Sequence, residues 1–405
     1  MKTVLSFIRR TSSKTLAALG AAVALVAALG AVAATGADGG NDRPPAKPLA
    51  EAIASSLDGQ EIDGLSARVT FTNEMLESAG MVKGADPLIG GGSGRLWASN
   101  NGDVRIELQS EAGGGDVQIV ARGDQLWLYH AAANTVYRTT IEPEEKSGKK
   151  DGKEEWPPSV AAVSRMLEQL GSEAVVSGAI PSNVAGKPAY STRIEPKDQS
   201  DLIGGADVTW DASNGAPLRV AIYARGENDP TLAIETTEVS FGAVDDAVFA
   251  IQPPASAKVE NMSAANAPSA ADKPKRPITG LSATRAAAPF ELSAPAKLAG
   301  LPRSEVMLVG SGDKKSVTIT YGEGLGAITV IESAASGKDE AASLGASEQA
   351  KRDGIEIPTA KVAGAEATVF GTPLGSLVSF TRDGVRYVVI GSVTEQDALA
   401  AARGL

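Results

Sequence analysis

The heptapeptide LSARVTF, residues 65–71, carries an apolar side chain at every odd position and a polar one at every even position. A period of two is the signature of a strand with one buried face. Working outward, the same alternation returns in Val104/Ile106/Leu108, in Val117/Ile119/Ala121 and in Leu218/Val220/Ile222/Ala224. Turn sequences punctuate these runs: Asn100 to Asp103, Gly123-Asp124, and Asp211 to Pro217. Gaps this short join antiparallel neighbours, because parallel strands need long crossovers. The pattern predicts about ten strands between Leu65 and Ile251, a large sheet that must curl.

Two amphipathic helices are expected beside that sheet. Leu49, Ile53 and Leu57 recur at i, i+4 and i+8. After a mixed-charge loop from Glu142 to Glu155, Pro157-Pro158 start a second helix, with Val160, Val163, Met166, Leu167 and Leu170 on one stripe ending at Gly171. Both must bury a face against the sheet, and the interior so enclosed is either a packed core or a ligand cavity. Segments 36–48 and 255–288, rich in Ala, Gly, Pro and Ser, read as linkers around a domain spanning 49–254. A smaller α+β domain, 289–405, has strands near 306–308, 317–321, 328–331, 368–370, 377–380 and 385–390. Its last helix begins at an S-x-x-E capping box, Ser392 with Glu395.

The N-terminus sets the compartment. Arg9, Arg10 and Lys14 precede an apolar run from Leu16 to Ala34, the layout of an export signal. Ala31-Val-Ala33 offers a cleavage site after Ala33; the run is also about as long as the roughly 20 residues of a bilayer span, so an uncleaved anchor is the alternative. The body is therefore expected outside the cytoplasmic membrane, secreted or anchored to it. The formal charge of −11 becomes −15 once residues 1–33, with Lys2, Arg9, Arg10 and Lys14 and no acid, are removed. Such a surface suits neither nucleic acid, whose phosphates demand basic patches, nor anionic headgroups.

Little catalytic chemistry is on offer. The chain has no cysteine and one histidine, His130, which removes disulfides and thiolate sites and leaves too few ligands for zinc. His130 ends a strand beside a turn, the usual place of an exposed turn residue. The run GGGSG, residues 90–94, lacks the Lys-Ser/Thr of a phosphate loop and reads as a loop. Gly322 to Gly326 joins two strands and reads as a hairpin turn. No cofactor and no enzymatic activity are expected.

Two stretches carry a family resemblance. In GDQLWLYHAAANTVYR, residues 123–138, Leu126, Trp127, Tyr129, Val136, Tyr137 and Arg138 match an "LW-Y … VYR" hairpin. In VTWDASNGAPLR, residues 208–219, Trp210, Asp211, Gly215, Pro217, Leu218 and Arg219 match "W-D … G-PLR". Over about residues 48–253 the chain thus resembles the LolA-like exported carriers of lipids and lipoproteins. RseB-like sensors share that half-barrel with a second domain. Residues 289–405 resemble a module of Gram-positive envelope and anti-sigma-linked proteins. The resemblance implies an α+β fold: a large curved antiparallel half-barrel sheet with a helical lid over an apolar cavity. It implies a non-enzymatic protein that holds a lipid or the acyl chains of a lipoprotein, or else a sensor or regulator acting on a membrane-bound protein partner through its C-terminal domain. Loops 84–94 and 142–157 are the expected movers on release. The candidate cavity residues are Val69, Phe71, Trp97, Ile106, Trp127, Met166, Leu167, Trp210, Val220 and Ile222. For each tryptophan core packing is the competing reading, since large rings anchor sheets. Having no cysteine, the chain lacks the lipid attachment of some relatives.

Overall fold

The computed structural model describes residues 43–59, 62–75, 86–110, 115–140, 158–261, 278–310, 315–335 and 358–405. The expected export segment, residues 36–42 of the first linker and the charged loop 142–157 lie outside the described residues. The chain forms two compact units, one built mainly before residue 264 and one mainly from there onward.

The first unit is a sheet of thirteen strands: β1 (Gly64–Asn73), β2 (Gly92–Ser99), β3 (Val104–Gln109), β4 (Asp116–Arg122), β5 (Gln125–His130), β6 (Thr135–Thr140), β7 (Ala174–Val176), β8 (Ile180–Val184), β9 (Lys187–Pro196), β10 (Ile203–Asp211), β11 (Pro217–Ala224), β12 (Leu232–Phe241) and β13 (Lys258–Asn261). Their spatial order is β13-β6-β5-β4-β3-β2-β1-β12-β11-β10-β9-β7, with β8 also on β9. Two antiparallel meanders therefore meet where β1 pairs β12, from Leu65↔Phe241 to Asn73↔Leu232, and the sheet does not close into a barrel. The α+β class and the antiparallel layout follow the period-two pattern. Twelve strands, where about ten were expected, lie between Gly64 and Phe241; β7 and β8 are too short for alternation to register. Part of the segment read as a linker is ordered: β13 runs parallel to β6, Val259 opposite Val136.

Helix α1 (Leu49–Leu57) buries Ala52, Ile53, Ala54, Ser56 and Leu57. It packs on Tyr190, Val208 and Trp210 of β9 and β10. Ser56 sits at the centre of that contact. Its hydroxyl accepts the Trp210 indole N–H at 3.1 Å and lies 2.8 Å from Ala52 O and 3.1 Å from Ala212 O. Asp211 shapes the adjoining β10–β11 turn by accepting from the backbone N–H of Ser213 and Asn214. Helix α2 (Pro87–Gly90) is a single turn. Helix α3 (Val160–Glu173) starts at Ser159, whose hydroxyl caps Ala162 N–H, and runs past Gly171. Only Val163 of its expected stripe is buried, whereas Val160 and Met166 are 46 % and 43 % exposed. The reason is its position: α3 leans on α1, so it meets the core along a narrow line.

The second unit contains β14 (Ile278–Thr279), helix α4 (Leu281–Ala287), β15 (Lys297–Leu298), β16 (Leu301–Val309), β17 (Ser316–Tyr321), β18 (Ile328–Ala334), β19 (Thr359–Val362), β20 (Ala365–Thr372), β21 (Gly375–Arg382), β22 (Val385–Gly391) and helix α5 (Glu395–Arg403). All six expected strands fall within these, and β14 and α4 again occupy part of the segment read as linker. The cap of α5 lies two residues beyond the expected one. Thr394 accepts from Asp397 N–H, while the Ser392 hydroxyl donates to Leu374 O. Ala398, Ala401 and Ala402 are fully buried, which brings the helix close over β19 to β22, in the core that holds Val362, Ala367, Val378 and Val389.

Within this core lies a fully buried acid, Glu332, opposite Tyr387 across β18 and β22. One carboxyl oxygen accepts Ser293 N–H at 3.0 Å; Oε1 has no partner. Burial pushes its pKa from 4.5 up to about 7, against the smaller opposing effects of Ser293 N–H and Arg382.

Two stability outcomes follow from these contacts. Ser56→Ala leaves the Trp210 indole N–H buried without an acceptor, and chemical denaturation should read a loss of about 1–3 kcal/mol. The folded protein holds a proton on Glu332 that the unfolded chain releases at lower pH. The stabilisation from this group is therefore complete below pH 4.5 and lost as pH rises through about 7. Glu332→Gln, which keeps an acceptor for Ser293, should flatten that decline and raise stability near pH 8 by an amount of the order of 3 kcal/mol. An unchanged pH profile in the variant would refute the assignment.

Candidate functional site

Directly opposed residues of an antiparallel pair project to one face, so the strand registers sort the side chains of the large sheet. One face carries Leu65, Ala67, Val69 and Phe71 of β1. Across β2 to β6 it continues as an unbroken row, Leu96–Ile106–Ile119–Leu128–Tyr137, each opposite the next. Across β12 and β11 it continues through Ile234 and Leu232 to Val220 and Ile222. Asp207 of β10 bonds Arg219 and Tyr223, which point the other way, so Val208 and Trp210 also belong to the first face. Helices α1, α2 and α3 all lie on it, and it is called the helix face below.

Cover on that face is uneven. Under α1 it is packed core: Trp210 is 1 % exposed and Tyr190 2 %, their ring centroids 6.0 Å apart. Under α2, Leu88 packs with Val69 and Leu108. The row from Leu96 to Tyr137 stays half-buried, and among the described residues no helix lies over β5 and β6. Four inter-strand steps of about 4.8 Å make it an apolar strip about 19 Å long.

The opposite face is held by polar pairs and by the chain that follows β12. Arg193 and Arg219 both bond Asp207, at 3.1 and 3.4 Å, and Arg219 reaches Glu235 at 3.0 Å. Burial raises the Tyr223 pKa in this network. Residues 245–257 cross the face as a strap. Phe249 is 2 % exposed, Val248 O accepts from Arg105 at 2.9 Å, and Ile251 and Ala257 pack on Val120, Trp127 and Val136.

The ten candidate residues therefore separate. Val69, Phe71, Ile106, Trp210, Val220 and Ile222 share the helix face, with Val69 and Trp210 inside packed core. Leu167 joins the core under α1, and Met166 is exposed. Trp97 and Trp127 lie on the strap face: Trp97 opposes Ser66 and sits 5.1 Å from the Arg105 guanidinium, and Trp127 opposes Val120 and Arg138. Parity decides this, since Ser66 is an even position of the alternating heptapeptide. Leu96, Ile119, Leu128 and Tyr137, central to the strip, were absent from the candidate set. The two-residue turn Gly123-Asp124 was the available signal, because it pairs Arg122 with Gln125 and hence Ile119 with Leu128.

Two further readings change. The GGGSG run is not a loop. Gly92 and Gly94 lie in β2, where a Cβ on Gly94 would come within 1.8 Å of Glu107 O, so only glycine permits that approach. His130 is a partly buried tie at the edge of the strip. Its Nε2 lies 2.6 Å from Asp86 Oδ2, and its Nδ1 accepts Ala133 N–H. Asp86 also caps α2, accepting from Leu88 N–H at 2.8 Å. The His130–Asp86 contact thus holds α2 over the sheet. Among the described residues no cluster of three acids or histidines could hold a metal ion, and no helix is long and apolar enough to cross a membrane.

No protein-family model matches the chain, and no curated protein matches it by sequence. Similar solved structures include the MucA/MucB complex of Pseudomonas aeruginosa, at 15% identity and a TM-score of 0.38, covering 87% of this chain and 94% of that one. MucB alone gives 14% identity, a TM-score of 0.37 and coverages of 87% and 96%. A putative outer membrane lipoprotein-sorting protein domain from Vibrio parahaemolyticus gives 14% identity and a TM-score of 0.19, covering 46% of this chain and 89% of that one. Superposition this loose transfers no site, ligand or partner, and none of these structures supports the expected Gram-positive module in residues 289–405.

Asp86→Ala removes both the cap of α2 and its tie to His130. Hydrogen exchange at Leu88, Ile89 and Gly90 should accelerate about tenfold, with a loss of about 1 kcal/mol in stability. Unchanged exchange there would show that α2 is held by Leu88 alone.

Proposed function

We propose that this is a non-enzymatic extracytoplasmic protein that holds the acyl chains of a lipid or lipoprotein against the helix face of its large sheet. The single observation carrying this reading is the half-buried row Leu96–Ile106–Ile119–Leu128–Tyr137, which crosses five strands and, among the described residues, has no helix over β5 and β6. Affinity comes from taking acyl carbons out of water, about 0.8 kcal/mol per methylene. The aliphatic side chains of the strip, Leu96, Ile106, Ile119 and Leu128, offer an alkyl chain area without hydrogen-bond demands, as a lipid site requires. His130 supports a binding role over a catalytic one, since both of its ring nitrogens are committed to Asp86 and Ala133.

A second reading makes the protein an envelope sensor that passes ligand occupancy to a membrane-bound protein partner. It is favoured by the second unit, which has a separate hydrophobic core and so folds around its own contacts. Exchange kinetics separate the two: a carrier gives lipid up to vesicles, whereas a sensor retains it.

Native mass spectrometry of the protein, purified without detergent from a bacterial envelope, tests the shared premise. A co-purifying lipid mass is expected, and Leu128→Glu, which puts a charge in the middle of the strip, should abolish it with the circular dichroism spectrum preserved. A clean apo mass with no uptake of added phospholipid would sink the proposal.

A further inference from the structure

Between the strap and the outer side of β4, β5 and β6 lies a pocket of about 220 Å³. It is separate from the apolar strip, which uses the other face of the same strands. Two arginines line it, Arg122 at the end of β4 and Arg138 in β6, together with the amides of Gln125 and Gln252. Half-buried Leu126 and Ile251 form its apolar walls, backed by the buried Trp127 and Phe249. No carboxylate lines the pocket. The registers explain the grouping: Arg122 opposes Gln125, and Trp127 opposes Arg138, so all four project toward the strap.

The two arginines differ in their ties. Arg122 lies 3.6 Å from Asp103, an acid engaged with Gly123 N–H as well. Arg138 has no ion-pair partner among the described residues, although the chain holds 49 acids against 38 lysines and arginines. A half-buried guanidinium facing an apolar-walled pocket has lost part of its hydration without gaining a counter-charge. Guanidinium groups match carboxylates in a planar, two-point fashion, and such charge-assisted bonds strengthen where water is excluded. The apolar walls add a requirement that a bare inorganic anion cannot meet.

We propose that this pocket binds a small organic monocarboxylate with an apolar body, the carboxylate on Arg138 with Arg122 in support and the body against Leu126, Ile251 and the edge of Trp127. The pocket is smaller than sites for drug-sized ligands, which suits a compact acid over a lipid.

Isothermal titration calorimetry on the full chain tests this with three probes: 3-phenylpropionate, its uncharged amide, and inorganic phosphate. The acid should bind one-to-one, with the amide and phosphate at least tenfold weaker. Arg138→Gln should weaken the acid at least tenfold, and Arg122→Gln should weaken it less, because Asp103 already engages that side chain. In the unmodified protein the Trp127 indole N–H resonance should shift on adding the acid while that of Trp210 stays in place, a readout that needs no variant. Equal binding of acid and amide, phosphate binding as tight as the acid, an Arg138→Gln variant that binds like the parent, a silent Trp127 resonance, or no heat with the acid in the millimolar range would each overturn the assignment.

Discussion

The pairing of β1 along both of its edges, to β2 on one side and β12 on the other, is the constraint on which the large unit depends. Every other strand neighbours one close in sequence or lies at the periphery, but β1 and β12 are separated by nearly the whole unit. Until that contact forms, the β2–β6 and β7–β12 meanders are independent half-sheets with exposed backbone edges. Such distant pairing must overcome loop-closure entropy before it returns any stability, so the joint is expected to form late. Once it forms, one apolar face runs continuously from β6 to β9, and the helices have somewhere to lie.

That continuity turns a local pattern into a site. Alternation in a single strand separates apolar from polar residues; register between strands aligns the apolar ones into rows. Helices α1 and α3 take the β9–β10 end, where Trp210, Tyr190 and Ser56 make a dry and hydrogen-bonded contact. The single turn of α2 covers the middle, held by Asp86 and His130. The remaining strip, toward β5 and β6, has no helix over it among the described residues. The opposite face solves its own burial problem differently, with a strap of chain in place of helices, and the gap beneath the strap becomes the arginine-lined pocket.

The second unit shows a contrasting use of burial. Its core is extensive and mostly aliphatic, with Tyr321, Phe380 and Tyr387 among its members and α5 seated through three alanines, yet it keeps Glu332 at zero exposure with one oxygen unpaired. Replacing such a group by an apolar one is often neutral or stabilising. Its retention couples the folding of this unit to protons near neutral pH.

By itself, the sequence determined the class of structure and, strand by strand, which residues share a face. A period of two in residues 65–71 and its echoes implies an antiparallel sheet, but it took the β1–β2 register to set Trp97 opposite Ser66 and so away from Val69. The near absence of histidine and the lack of cysteine narrowed the chemistry before any coordinates. Tertiary structure alone decided which apolar residues are core and which remain half-buried. Phe71 and Trp210 read alike in sequence, but α1 covers one and not the other. It decided too that α3 would bury only Val163 of its stripe, that glycines 92 and 94 belong to a strand, and that residues 245–261 would fold back over β4 to β6. The physical reason is common to all four. Periodicity is a property of neighbours along the chain, whereas cover and pairing depend on segments elsewhere in it, whose arrival leaves no mark on the local pattern.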